Sequence, residues 1–258
     1  MIAVRTEAEL SKIRSSADLL VEVFRGVEPH LKAGVDTREI DVRADEIIRS
    51  GGGRPAFKGY MGYPASVCIS IDEEVVHGIP GDTLIEEGDL VSLDIGVEMD
   101  GFFSDASKTY GIGRMADEKI RLMTATKEAL YKGLLQCRSG KRLSDISHAI
   151  QNHAEGARFS VVRSLVGHGI GRKLHEPPQI PNFGPPHQGP KLSEGMVFAI
   201  EPMVNMGTYE VEIQEDGWTV KTKDRLPSAH FEHTVIVRKQ GPEILTFGIE
   251  DEPWRWNG

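Results

Sequence analysis

The stretch Leu90–Gly111, LVSLDIGVEMDGFFSDASKTYG, predicts two antiparallel strands joined by a tight turn. Asp100-Gly101 stands between two apolar runs, and an Asp-Gly pair is typical of a two-residue hairpin turn because both residues take positive φ there. Such a turn sets the register of the two strands. The opposing pairs are then Met99 with Phe102, Val97 with Ser104, and Asp94 with Ser107.

Asp94 and Asp105 point to the same face of this hairpin, because Asp105 is two residues from Ser107. As diagonal neighbours, their Cα atoms are expected about 7–8 Å apart. Two such carboxylates repel each other unless a cation lies between them. The hairpin alone leaves two interpretations open, which are solvated aspartates beside a turn and a pair of metal ligands. The opposite face is predicted to be core, through Leu93, Ile95, Val97 and Phe102.

Composition limits the class of protein. The 258 residues allow one large domain or two fused halves, and 39% apolar with 27% charged residues is typical of a globular protein in water. A net charge of −9 argues against a broad basic face for nucleic acid or anionic lipid. We expect no secretory signal in MIAVRTEAEL and no segment that spans a membrane.

The two cysteines, Cys68 and Cys137, are far apart in sequence and form no zinc or disulfide pattern. This usage fits a reducing cytoplasm. A metal site in this chain must therefore be built from carboxylates and imidazoles.

Helices are predicted where apolar residues recur every three or four positions. The predicted helical segments are residues 6–25 with a Thr6–Glu9 capping box, a piece ending at Gly34, a piece capped by Asp36, residues 117–138 and residues 144–157. A strand is predicted over residues 66–71. A short similarity between residues 32–40 and 138–146 is weak support for two related halves, with a boundary near residues 112–118.

Three short apolar strands each carry an acid, namely Asp94, Glu201 within Met196–Val204, and Glu232 within Phe231–Val237. A buried lone carboxylate costs several kcal/mol unless it is paired or bound to a metal. Together with Asp105 these acids have no matching set of buried Lys or Arg. The pattern therefore predicts a bound cation.

His168 stands between Gly167 and Gly169, which allow the backbone to turn sharply and leave the imidazole accessible. The spacing does not fit a dinucleotide loop, and the Pro- and Gly-rich residues 176–195 are predicted to form a loop. His77, in a turn between apolar residues, is either a core histidine or one presented at the rim of a site.

Along the sequence, the four acids and His168 occur in the order D, D, H, E, E. This set suits two divalent cations held mainly by oxygen. Such a pair activates a water and polarises a carbonyl, which is hydrolysis without a Ser or Cys nucleophile.

At this point the sequence resembles type I methionine aminopeptidase in its short bacterial form. The resemblance covers nearly the whole chain and rests on spaced motifs in the same order, SVCISI…VVHGIP, DIG…DGFFSDASKT, GHGIG…HEPPQIPN, GMVFAIEPM, DGWTVKTKDR and SAHFEHTVIV. It implies the α+β pita-bread fold as a single domain over residues 1–258. In that fold two pseudo-symmetric αβ halves share a central curved antiparallel sheet backed by helices.

The resemblance also implies roles for individual residues. Asp94 would bind one metal, Asp105 and Glu232 would bridge both, and His168 and Glu201 would complete the other. Glu201 would act as general base, His77 would contact the scissile amide, and His175 would stabilise the developing oxyanion. The positions that match the methionine pocket are Tyr60, Tyr63, Cys68 and Trp218, and Phe57 stands where some relatives carry a smaller cysteine.

The activity implied is removal of the initiator methionine, from peptides and nascent proteins, when the second residue is small. The cofactors would be two divalent ions, drawn from Co, Mn, Fe or Zn. We expect a cytoplasmic monomer, and association with the ribosome stays open. The alternatives are a proline-directed peptidase on the same fold, and a catalytically inactive pita-bread module that binds peptides or proteins.

Overall fold

The computed structural model describes residues 2–249 of the chain. Within that range the α-helices are α1 (Glu7–Val27), α2 (Thr37–Ser50), α3 (Asp117–Leu134) and α4 (Leu143–Gly156). The strands are β1 (Arg54–Pro55), β2 (Val67–Ile71), β3 (Glu74–Val76), β4 (Leu90–Met99), β5 (Phe102–Gly111), β6 (Ser160–Val161), β7 (Val166–Gly169), β8 (Glu176–Pro181), β9 (Val197–Ile200), β10 (Met203–Asn205), β11 (Val211–Ile213), β12 (Val220–Thr222), β13 (Ser228–His230), β14 (Glu232–Ile236) and β15 (Glu243–Ile244). No helix among these residues is both long and apolar enough to cross a bilayer.

The central sheet has nine strands, in the order β1-β4-β5-β14-β9-β7-β8, with β2 added beside β4 and β15 beside β14. Its pairings are antiparallel, including the pairing of β5 with β14, which are more than 100 residues apart in sequence. Two three-stranded sheets, β13-β10-β6 and β11-β12-β3, flank it. Helices and antiparallel sheets together give the predicted α+β class.

Separate apolar clusters back the two ends of the sheet. One joins α1 and α2 to β2, β4 and β5, and the other joins α3 and α4 to β9, β13 and β14. The predicted boundary near residues 112–118 falls where β5 ends and α3 begins. The division of a single domain into two halves there stays a prediction.

The hairpin of β4 and β5 has the predicted register, with Asp94 opposite Ser107 and all ten pairs in phase. Its turn residues take positive φ, 52° at Asp100 and 78° at Gly101, as the Asp-Gly pair requires. The predicted core residues Leu93, Ile95, Val97 and Phe102 are buried. A local turn signal thus fixes the geometry around which the larger sheet assembles.

The helix predictions differ from the structure mainly at their ends. Thr6 caps α1 with the predicted capping box, and Asp36 caps α2. The piece predicted to end at Gly34 is only a 3-10 turn at Glu28–His30. The helix predicted over residues 117–138 ends at Leu134.

Two strand predictions were wrong. Residues 176–195 are not all loop, because Glu176–Pro181 pairs with β7 at the end of the sheet, where an edge strand tolerates proline. The strand predicted over Met196–Val204 is divided at Glu201-Pro202 into β9 in the central sheet and β10 in a smaller one. Proline cannot donate to a strand ladder, and the break leaves Glu201 at the junction.

Candidate metal centre and substrate pocket

The hairpin and its neighbours bring three predicted ligands to one face of the central sheet. Asp94 and Asp105 lie on β4 and β5 as predicted, and Glu232 pairs with Ser107, the residue opposite Asp94. Cys68 on β2 lies opposite Asp94 from the other side. Neighbouring strands in phase therefore point these side chains to the same place.

His168 and Glu201 reach this face from β7 and β9. His168 pairs with Ala199, and Glu201 follows the last residue of β9. The two glycines beside His168 do not serve the predicted sharp turn of the backbone, because neither takes positive φ. A Cβ on Gly167 would lie 2.6 Å from the Ala199 carbonyl, and one on Gly169 would lie 2.3 Å from the Pro177 carbonyl. Glycine here permits close packing of strands around the histidine.

The five predicted ligands form one cluster. Ligand atoms of Asp105, His168 and Glu232 lie within 4.8 Å of one another. Glu201 Oε1 is 3.4 Å from His168 Nε2. Burial raises the pKa of Asp94, which shares a hydrogen bond with Asp105, to about 7.

The electrostatics of the cluster fit a bound cation. Burial and the charges of Glu232 and Asp94 hold the pKa of Asp105 well above its usual range. Burial and neighbouring acids do the same to the pKa values of Glu201 and Glu232. Among the described residues, Asp94 Oδ1, Asp105 Oδ1 and Glu232 Oε1 are buried without a hydrogen-bond partner. Unpartnered carboxylate oxygens facing one another are the ligands that a hard divalent ion requires.

His168 has the tautomer expected of a ligand. Its Nδ1 lies 2.9 Å from the Gly169 carbonyl, and a neutral imidazole that donates from Nδ1 keeps a lone pair on Nε2. Burial and the neighbouring His175 lower the pKa of His168 to about 3, which keeps the ring neutral. The free Nε2 faces the acids.

A cavity of about 340 Å³ opens onto the acids. All twelve residues that the sequence analysis singled out line it, together with Met61 and Leu174. The sequence analysis missed those two. Met61 lies in the uncharged GYMGYP segment, and Leu174 directly precedes His175, so proximity to a predicted residue was the only signal.

Aromatic rings form part of the cavity wall. Trp218 packs edge-on against Tyr63, with ring centroids 5.2 Å apart, and against His77 at 6.4 Å. The Tyr63 hydroxyl contacts the carbonyls of Val67 and Gly78 at 3.1 and 2.9 Å. Asp216 accepts hydrogen bonds from the backbone N–H groups of Trp218 and Thr219. These contacts hold the wall rigid.

His77 lies at the rim of the cavity, half-buried and with a positive φ of 60°. Positive φ is uncommon in residues other than glycine and is often found at functional sites. Burial lowers the pKa of His77 to about 4, so the ring is neutral at pH 7. Of the two positions predicted for His77, in the core or at the rim of a site, the structure has the second, because the residue lines the cavity.

His175 lies where the cavity meets solvent, with its ring against two partners. Its Nδ1 is 2.8 Å from the Tyr60 hydroxyl, and its centroid is 4.2 Å from that of His168. Burial of part of the ring lowers the pKa of His175. Tyr60 thus contacts a candidate catalytic residue besides lining the pocket.

His230 on β13 is a further residue beside the acids that the sequence analysis did not single out. Its side chain is buried, and its Nε2 lies 3.8 Å from Glu201 Oε2. The SAHFEHTVIV motif contains it, but a histidine within an apolar run is usually core. Only the pairing of β13 with β10 brings it next to Glu201.

Buried carboxylates and an imidazole that line one cavity, in an α+β fold with a central antiparallel sheet, are the features expected of a metallopeptidase of the pita-bread fold. Residues 11–239 match the model of metallopeptidase family M24. The chain belongs to this family.

Relatives support the same family over nearly the full chain. Methionine aminopeptidase 1 of Bacillus subtilis is 46% identical over 246 residues, which cover 95% of this chain and 99% of that protein. The crystal structure of methionine aminopeptidase from Rickettsia prowazekii aligns with a TM-score of 0.94 at 42% identity, covering 95% of this chain and all of that one. The predicted family, fold, enzyme class and activity are thereby confirmed.

A solved structure of a proline-directed peptidase is similar to this chain in fold. Prolidase from Pyrococcus furiosus aligns with a TM-score of 0.77 at 21% identity, and the match covers 97% of this chain but 66% of that one. The family also supports use of divalent metal.

We expect the four buried acids to destabilise the metal-free protein increasingly as the pH rises. The four acids have folded-state pKa values above their ordinary values, so they release their protons first in the unfolded chain, and their contribution to stability falls from about pH 4 upward, for Asp94 until about pH 7. Manganese at about 100 times its Kd should raise Tm by about 5–10 °C at pH 7.5. At pH 5 the increase should be smaller, because protons compete for the ligands.

Thermal unfolding of chelator-treated protein, with and without Mn²⁺ at both pH values, measures these changes. A metal-induced increase in Tm that is equal at pH 5 and 7.5 would contradict the assignment of buried acids as ligands.

Proposed function

We propose that this protein removes the N-terminal methionine from peptides and nascent proteins whose second residue is small, using two divalent ions. The observation that carries the proposal is the convergence of five candidate ligands and seven candidate substrate residues on one cavity. The activity agrees with the name that the curated relatives share.

The ions would be held by Asp94, Asp105, His168, Glu201 and Glu232. Asp105, His168 and Glu232 would hold an ion together, because their ligand atoms lie within 4.8 Å of one another. When bound, the ions supply an activated water and polarise the scissile carbonyl. An oxygen-rich site accepts Co, Mn, Fe or Zn, and availability in the cell decides among them.

Three side chains act on the substrate in this proposal. Glu201 accepts the proton of the attacking water, since its carboxylate lies at the junction after β9, beside His168. His77, neutral at the rim, contacts the scissile amide. His175 donates a hydrogen bond to the developing oxyanion from the ring nitrogen that does not face Tyr60.

The methionine side chain would occupy the aromatic part of the cavity. Tyr63 and Trp218 form a rigid wall, and sulfur contacts aromatic rings favourably by about 0.3–1.5 kcal/mol. Cys68 and Phe57 are buried beside it, and the Phe57 ring lies so close to Gly96 that a Cβ there would be 2.6 Å from it. A pocket closed by this ring should favour an unbranched side chain.

The enzyme is proposed to work as a cytoplasmic monomer, and contact with the ribosome would bring it to nascent chains. The activity is tested by a direct cleavage assay. Purified protein with Mn²⁺ or Co²⁺ should release methionine from Met-Ala-Ser and leave an Xaa-Pro peptide of equal length uncut.

Elemental analysis of the same sample separates the alternatives. A catalytically inactive binding module should purify without metal and bind Met-Ala-Ser without cleaving it. Preferential cleavage of the Xaa-Pro peptide would favour the proline-directed peptidase and overturn the proposal.

A further inference from the structure

His230 is buried to 1% exposure, and within residues 2–249 its Nε2 has no hydrogen-bond partner. Leaving a buried polar atom without a hydrogen-bond partner is unfavourable, so such atoms usually have a role. The acid it faces is Glu201, whose Oε2 lies 3.8 Å away. This distance is longer than a hydrogen bond and is spanned by a small rotation of either side chain.

The two oxygens of Glu201 face different imidazoles. Oε1 is 3.4 Å from Nε2 of His168, on the side of the candidate metal ligands, and Oε2 is on the side of His230. A carboxylate with one oxygen among the ligands and the other beside a potential donor has a defined rotation about its last bond. Such outer partners orient ligands and adjust their basicity.

The β4–β5 hairpin holds the backbone of His230 through Thr109. Its N–H donates to Thr109 Oγ1 at 2.9 Å, and Thr109 Oγ1 donates to its carbonyl at 2.8 Å. Because that hydroxyl proton is used, the 2.8 Å contact with Ser92 is donated by Ser92. On the other side, the carbonyl of Glu201 accepts from Asn182 Nδ2 at 3.0 Å. Both backbones are therefore fixed where the two side chains meet.

We propose that His230 is a positioning residue that donates from Nε2 to Oε2 of Glu201 and holds its other oxygen toward the metal ligands. The proposal rests on the proposed role of Glu201 as ligand and base. His230 itself contacts neither substrate nor ion in this proposal.

The test compares His230→Leu, which removes the donor, with His230→Gln, which keeps an N–H donor at the ε2 position. The control is His148→Leu, an exposed histidine on α4 outside the site. Steady-state cleavage of Met-Ala-Ser with Mn²⁺ gives kcat and KM. Calorimetric titration of metal-depleted protein with Mn²⁺ gives metal affinity without reference to activity.

We expect His230→Leu to lower kcat about 10–100-fold with KM within about 2-fold, and to weaken binding of one Mn²⁺ about 10-fold. His230→Gln should restore both to within about 3-fold of the unmodified protein, and His148→Leu should change neither.

Two results would overturn the proposal. If His230→Leu changes only Tm, the residue is part of the core alone. If both variants lose one ion, His230 is a ligand. Failure of the unmodified protein to take up Mn²⁺ would instead count against the ligand set under Proposed function.

Discussion

Replacing Glu201 with glutamine should lower kcat by at least about 10³-fold at every metal concentration. Glutamine keeps the length of the side chain and one carbonyl oxygen, but it cannot accept the proton of the attacking water. Glu201 is buried, and burial raises the pKa of its carboxyl well above the usual range. The substitution therefore removes a desolvation cost, and the metal-free variant should unfold at the same temperature as the unmodified protein or higher.

The measurement is kcat for Met-Ala-Ser at Mn²⁺ concentrations spanning three orders of magnitude, beside Tm of the metal-free proteins. Glu118→Gln, on the exposed side of α3, is the matched control and should keep full activity. Full recovery of Glu201→Gln in excess Mn²⁺ would mean that Glu201 binds metal without taking a proton.

The parts of the fold that sequence predicted best are those set by local chemistry. Asp100-Gly101 needs positive φ, and this fixed the register of a long hairpin and the shared face of Asp94 and Asp105. Thr6 and Asp36 marked helix starts through side-chain bonds to nearby backbone. These interactions span only a few residues, so their pattern is visible in the chain.

The parts of the fold that could not be predicted from the sequence depend on pairing between distant segments. The prolines of residues 176–181 argue against a strand unless that strand lies at an edge, and position in a sheet is a tertiary property. Pro202 was a usable signal for the break after Glu201, because proline seldom continues a central strand. Nothing local distinguishes His230 from a core histidine.

More of the candidate site than of the fold could be predicted from the sequence, because the resemblance rests on several spaced motifs at once. The bare residues predicted four acids in need of a cation, and the structure brings them together with His168. The reason for Gly167 and Gly169 was wrong because close approach of β8 and β9 cannot be deduced from a Gly-His-Gly triplet.

Replacing His175 with alanine should lower kcat about 10²–10³-fold while the metal stays bound, as expected for loss of one donor to an oxyanion. His175 is exposed, so truncation leaves no buried cavity, and stability should fall by about 1 kcal/mol through loss of the contact with Tyr60. KM should remain within about 3-fold, because the pocket for the methionine side chain is intact. Metal analysis after gel filtration is the decisive second measurement, since loss of an ion would assign His175 to the ligand set.

Tyr60→Phe tests how His175 is oriented. A neutral imidazole has one N–H, and if the Tyr60 hydroxyl donates to Nδ1 at 2.8 Å, the proton of His175 is on Nε2, where it can reach the substrate. Phenylalanine keeps the ring at the wall but removes this donor, so kcat should fall about 10-fold with unchanged KM. In His175→Ala the same second change should cost nothing further, because residues that act as a unit are not additive. An additional 10-fold loss in the double variant would show that Tyr60 acts on the substrate independently of His175.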